Sequence, residues 1–235
     1  MNPTPQDISF RLFGFPTSIQ PFFWLVAALI TALHLGPIDN MPIWLVQMLV
    51  GTAGVLLSIL VHELGHALTF RYLFRTPCTI VLHGFGGAAI PLRHYSRSYG
   101  FRGMVANSFL SFSGPLAGFI LAFLMLMLLQ VIPADDRLAP SLFLFFLGWT
   151  AAISIIWGIF NLLPIYPMDG GRIVREFFAF CFPRRGVEFS LILSMMLAAV
   201  LAVLALRFGQ FFITFIFGYF AYQNYQEMSA RSFRP

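Results

Sequence analysis

An apolar run from Ile43 to about Phe70 is long enough to cross a bilayer, and inside it stands His62-Glu63-Leu64-Gly65-His66. In a helix, residues four apart share one face. His62 and His66 can therefore put two imidazoles on one metal ion, while Glu63, one position on, reaches a water beside it. Ionisable groups at bilayer depth are expensive to keep and usually mark a functional site. With five His and four Glu in 235 residues, shuffling produces His-Glu-x-x-His in roughly 0.002 of chains, so chance is a poor explanation. The chemistry this spacing implies is metal-assisted hydrolysis.

Composition leaves little room for a soluble domain. The chain is 59% hydrophobic and 10% charged, with 29 Phe and a mean hydropathy of +0.82. Met1 to Pro16 lack the basic flank, apolar core and cleavage site of a signal peptide, so the first membrane helix is expected to remain as an anchor. The formal net charge is +5, but all 14 basic residues are Arg, scattered singly or in pairs between apolar spans. Such charges flank membrane segments and form no basic stripe, which excludes nucleic acid as a partner. Cys78 and Cys181 lack metal-type spacing and read as small apolar fillers.

Apolar runs of spanning length fall near 18–35, 43–72, 104–132, 141–163, 187–206 and 210–226. The expected fold class is an all-α polytopic membrane protein, one domain of six transmembrane helices. Between the second and third spans, Thr79 to Leu82 and Ala88 to Ile90 flank the glycine-rich His83-Gly84-Phe85-Gly86-Gly87. That pattern predicts a short β-hairpin near 78–91. With six spans and a cytoplasmic N-terminus, twelve arginines lie inside, and Arg137 and Arg207 lie outside. This is a strong positive-inside bias. His66 then lies one to two turns from Arg71, which snorkels to the cytoplasmic interface, so the site is within the membrane and nearer that face. The bilayer is best described as the plasma membrane of a prokaryote.

A zinc site of catalytic type needs a third protein ligand. His34 and His94 read as interface or surface histidines, and His83 at the hairpin tip stays open. Asp169 has the best acidic context, in Asn161-Leu162-Leu163-Pro164-Ile165-Tyr166-Pro167-Met168-Asp169-Gly170-Gly171. Two prolines stop the fourth helix there, and two glycines permit a tight turn after the carboxylate. The commoner role for such an Asp is to cap a helix beginning near Gly171.

The whole set of motifs resembles the site-2 protease family of intramembrane zinc metalloproteases. The resemblance rests on the His62–His66 motif in a membrane helix, Gly86-Gly87 in the hairpin, Ser113-Gly114-Pro115-Leu116-Ala117-Gly118, and Asn161 to Gly171 about a hundred residues on. It implies one zinc per chain held by His62, His66 and Asp169, Glu63 as general base, and Asn161 as a polar helper at the reacting carbonyl. It also implies single-span membrane proteins as substrates. The chain has no room for the inserted PDZ or appended CBS domains of some relatives, so regulation through those modules is not expected.

The chemistry can also be argued from the residues. A peptide bond in a helix is shielded by its own hydrogen bonds, so cleavage requires unwinding and a partner for the freed backbone. The hairpin edge, at Ile80 to Leu82 or at Ala88 to Ile90, can supply it by strand addition, with Gly86, Gly87 and Ala89 as contact residues. A re-entrant loop that merely packs under the helices is the plainer alternative. Gly114-Pro115 reads as a packing kink. A metal transporter or a silent membrane scaffold are the competing functions, and neither requires Glu63.

Overall fold

Residues 6–84, 86–93, 100–133 and 138–232 are described by a computed structural model. They form β1 (Ile8–Leu12), β2 (Phe15–Ile19), α1 (Pro21–Leu35), α2 (Met41–Tyr72), β3 (Cys78–His83), β4 (Gly86–Pro91), α3 (Gly100–Val131), α4 (Leu138–Asn161), α5 (Asp169–Cys181), α6 (Gly186–Arg207) and α7 (Phe211–Ser232). The chain divides into two units, Met1–Tyr95 with Ser113–Ile159 and Ser96–Phe112 with Phe160–Pro235. Among the described residues, α2, α3, α4 and α6 are long and apolar enough to cross a membrane. The first expected span is α1, a helix of only 15 residues, and the sixth is α7, whose second half carries Gln223, Asn224, Gln226 and Glu227. Arg97, Arg234, His94, Phe85 and the loop Asp135-Asp136-Arg137, which entered the sequence reading, lie outside the described residues.

In the first unit the central helix opens on Asn40, whose side chain accepts from the Ile43 N–H at 3.2 Å, and on a proline in its first turn. Its buried face carries Gly51, Gly54, Ser58, His62, Gly65 and Thr69, spaced three or four apart, with His66 beside Gly65, while Leu45 and Leu49 face outward. Small and polar residues inward with large apolar residues outward is the pattern of helices packed in lipid.

The expected hairpin is present, but the fold is not all-α with a lone hairpin. β1 and β2 form a second hairpin, and β2 pairs parallel with β3, giving a four-stranded sheet in the order β1-β2-β3-β4. Arg71, in the last turn of α2, fixes this addition. Its guanidinium lies 3.9 Å from the Phe15 ring centroid and donates to the Phe13 carbonyl at 2.9 Å. Thr79 Oγ1 also donates to the Pro16 carbonyl at 2.9 Å.

The sheet order settles which hairpin strand is free. β3 is interior and β4 is an edge. The Leu92 N–H donates to the Pro77 carbonyl at 2.8 Å, which fixes the ladder's phase: Ile90, Ala88 and Gly86 bond toward Thr79, Val81 and His83. The N–H and C=O of Gly87 and Ala89 therefore point away from β3. Pro91, which has no N–H, occupies another outward position, where proline is tolerated.

In the second unit, α6 packs on α7 around a core of Ile165, Met168, Ala198 and Phe217. Asn107 of α3 donates to Glu176 of α5 at 3.0 Å.

The two cysteines differ sharply, since Cys78 is buried and Cys181 exposed. Burial pushes the Cys78 thiol from 9.0 to about 11, against the opposing pull of Arg71. The unfolded chain loses this proton near 9, so the thiol's contribution to stability falls as pH rises through that interval. We expect a thiol reagent at pH 8 in detergent to titrate Cys181 alone, and both thiols after denaturation. Two reactive thiols in the folded protein would contradict this packing.

Candidate metal centre

His62 and His66 project from adjacent turns of α2, both buried, with ring centroids 5.0 Å apart and planes at 78°. Their Nε2 atoms face each other at 3.3 Å. Two imidazoles on a tetrahedral zinc, with Zn–N near 2.0–2.1 Å, stand about 3.3–3.4 Å apart, so the pair fits that ion. Ser113 of α3 places its hydroxyl 3.5 Å from His66 Nδ1, on the side of the ring away from the facing nitrogens. A partner there fixes which nitrogen is left to bind metal.

The space beside the pair is kept by glycine. A Cβ at Gly114 would collide with His66 Nε2 and stand 2.8 Å from His62 Nε2. A Cβ at Gly65 would meet the Ser113 carbonyl, so α3 approaches α2 at backbone distance. Gly114 was expected to be only a packing kink; it lines the two facing Nε2 atoms. The signal available in the sequence was its place in Ser113-Gly114-Pro115, which does not reveal what it faces.

Glu63 is 4% exposed and lies against β4, where a Cβ at Gly87 would stand 2.8 Å from its carboxylate. Gly87, Ala89 and Pro91 share a sheet face with Leu82, Ile80 and Cys78, and the Cys78 thiol reaches the Ala67 carbonyl of α2 at 3.8 Å. The structure thus brings the acidic residue of the motif together with the free edge strand. Burial holds His83 below its usual 6.5, opposed by the charge of Glu63, which favours a neutral ring.

Asp169 and Asn161 belong to the second unit. Asn161 is the last residue of α4 and is half-buried. Asp169 is 6% exposed and opens α5, whose N-cap is Met168. It is therefore not the cap of a helix starting at Gly171, and the first turn of a helix favours its negative charge. Gly170 and Gly171 do not form a turn either. They lie within α5, and a Cβ on them would strike the backbone of Leu162 and of Ile165 and Tyr166. Their role is to let the preceding loop lie flat on the start of α5.

Residues 130–205 match the model of Peptidase family M50. The chain is 29% identical over 164 residues to Rip3 of Mycobacterium tuberculosis, named as a zinc metalloprotease, covering 68% of this chain and 39% of that one. To a zinc metalloprotease of Methanocaldococcus jannaschii it is 28% identical over 170 residues, 71% of this chain and 43% of the relative. It thus spans about two fifths of the length of these curated relatives. Stage IV sporulation protein FB of Bacillus subtilis is 26% identical over 215 residues, 89% of this chain and 66% of that protein. The solved site-2 protease from Methanocaldococcus jannaschii superposes with a TM-score of 0.61 at 22% identity, covering 94% of this chain and 95% of that one. The fold is that of a site-2 protease. Over residues 130–205 the chain is similar to peptidase family M50.

Because a methyl group at position 114 would occupy the space between the imidazoles, Gly114→Ala should lower metal content about tenfold or more while helical circular dichroism stays unchanged. Wild-type metal content in that variant would show that the nitrogens are not where the ion sits.

Proposed function

We propose that the chain is an intramembrane zinc metalloendopeptidase that hydrolyses peptide bonds within or near the transmembrane segments of single-span membrane proteins. The observation that carries this reading is the pair of Nε2 atoms 3.3 Å apart in a helix apolar enough to cross a bilayer, with a buried glutamate between them in sequence. His62, His66 and Asp169 are the proposed ligands of one zinc. The donor types support this: two imidazoles and a carboxylate, each buried, are a set that holds a catalytic zinc.

When bound, zinc supplies Lewis acidity, polarising the scissile carbonyl and acidifying water. Glu63 takes the proton as water attacks and returns it to the leaving amine. Ser113 holds the His66 ring in orientation, and Asn161 offers an amide to the reacting carbonyl. The outward N–H and C=O of Gly87 and Ala89 receive the unwound substrate as an added strand, while Gly86 shapes the turn that leads into it. This edge runs beside Glu63.

A six-span topology with both termini cytoplasmic, and the site nearer that face, agrees with the arginine distribution. A prokaryotic plasma membrane agrees with the bacterial and archaeal relatives. Cys181 should then resist an impermeant maleimide in right-side-out vesicles and react in inverted ones, and the reverse would invert the topology.

Glu63→Gln should keep about one zinc per chain and lose at least about a thousandfold in cleavage of a membrane substrate, in line with loss of a general base. A transporter would keep its function in this variant. Asp169→Ala should lose the metal, and an Asp169→Ala protein with wild-type zinc and turnover would remove it from the ligand set. For the edge, Ala89→Pro deletes only an outward donor and should impair cleavage strongly with zinc and fold intact. Val81→Pro, on the interior strand, should instead damage the sheet. Normal cleavage by Ala89→Pro would place substrate binding elsewhere.

A further inference from the structure

Between α4 and α5 the chain runs through Leu162 to Met168 without regular structure, and Pro164 and Pro167 remove two of its backbone donors. Backbone groups outside helices and strands must be met by something else when water is scarce. Here two side chains from other helices meet them. The Tyr166 N–H donates to Ser194 Oγ of α6 at 3.1 Å, and that hydroxyl lies 3.5 Å from the Pro164 carbonyl. The Tyr166 carbonyl accepts from Asn224 Nδ2 of α7 at 2.6 Å. The backbone of one residue is thus held at both its N–H and its C=O.

The ring of the same residue is also held. The Arg175 guanidinium lies 4.9 Å from the Tyr166 ring centroid, and Arg175 is itself paired with Glu227 of α7 at 3.0 Å. Ile165 and Met168 are buried against Ala198 and Phe217. The last link to the carboxylate is short, since the Met168 N–H donates to the Ile165 carbonyl at 2.9 Å and Asp169 follows.

Asn224 is an unusual choice for its setting. It is 1% exposed. Its Nδ2 also reaches the Phe220 carbonyl at 2.7 Å, so both donor hydrogens are used, while its Oδ1 has no partner among the described residues. Flipping the amide would turn an oxygen toward two carbonyls, so its orientation is fixed. An apolar residue would serve α7 better as a helix; the amide serves the loop.

We propose that Asn224 and Ser194 are positioning residues for Asp169, bracing the Tyr166 backbone so that the carboxylate is presented in a fixed place. This rests on the reading of Asp169 as a zinc ligand. Neither side chain touches the reacting atoms, and both act through the loop.

The test uses the zinc-loaded full-length chain in detergent, challenged with excess chelator while a fluorescent indicator follows metal release, with melting temperatures measured on the apo forms. Asn224→Leu and Ser194→Ala should each release zinc about tenfold or more faster than wild type, the scale expected when a ligand's support is removed. Gln226→Ala, on the exposed side of the same helix, should release at the wild-type rate. Residues that only stabilised the helix packing would change the apo melting temperature and leave release at the Gln226→Ala rate, and that result would overturn the proposal. Ser194→Ala, the smaller change, carries the test if Asn224→Leu does not fold. Asp169→Ala separates the two claims: if it loses zinc while the brace variants hold it, only the positioning role fails, and if it holds zinc as wild type does, the ligand assignment fails.

Discussion

How closely a backbone can approach one turn of α2 governs the arrangement around the imidazole pair. The Ser113 carbonyl sits where a side chain at Gly65 would be, Gly87 of β4 lies against Glu63, and Gly114 leaves open the space before both imidazoles. Glycine inside a helix costs about 1 kcal/mol against alanine, and an interior proline such as Pro115 about 3 kcal/mol or more. Local propensity alone would remove these residues from α2 and α3. The glycines persist because a Cβ at Gly65 would overlap the Ser113 backbone and one at Gly87 or Gly114 the Glu63 or histidine side chains, and overpacking of that kind costs about 1–3 kcal/mol. Two titratable rings buried in an apolar segment are thus enclosed by backbone and small side chains.

The sheet follows from the same constraint. β4 can lie on Glu63 only with small residues facing α2, and Gly87 and Ala89 are those residues. The same two positions turn their N–H and C=O outward from the sheet. A backbone group left without a partner in apolar surroundings costs about 2–7 kcal/mol. An edge of this kind is tolerated at membrane depth only when protein, water or another strand meets it. The two hydrogen-bonding positions therefore do more than cap a packing element. In the proposed function they would receive an extended chain beside the buried glutamate, and a chain added there would satisfy its own unwound backbone in the same step.

The sequence makes the local features legible and hides the distant ones. His62, Glu63 and His66 can be read at once because the four-residue spacing of a helix is itself local. The hairpin at 78–91 can be read from two short β-rich pieces around glycine. That β3 is interior and β4 free depends on β2, some sixty residues earlier, pairing in parallel through Thr17, Ser18 and Ile19, and no local pattern announces that. Gly170 and Gly171 look like a turn because glycine after a carboxylate usually is one. Their use inside α5, to admit the backbone of the preceding loop, depends on a packing contact. Gly114 is hidden in the same way, since a Gly-Pro pair in a membrane helix reads as a kink until the atoms opposite it are known.

The polar second half of α7 shows how such hidden requirements shape composition. Burying a leucine in place of Asn224 would gain about 1.5–3 kcal/mol of apolar transfer and would remove an acceptor whose lack of a partner costs about 1–3 kcal/mol. Against this stands a hydrogen bond to the Tyr166 carbonyl and one to Phe220, each contributing about 0.5–1.5 kcal/mol. For α7 alone the balance favours leucine. Leucine would also leave the Tyr166 carbonyl, in a proline-interrupted loop with no strand or helix of its own to meet it, without that partner, at a further cost of about 1–3 kcal/mol, which brings the two sides level. The same reasoning applies to Glu227, which holds Arg175 over the Tyr166 ring while also pairing with Arg231. Asn224 and Glu227, two of the polar residues that set α7 apart from the four long apolar helices, are thus accounted for by the segment they support, the one that ends in Asp169.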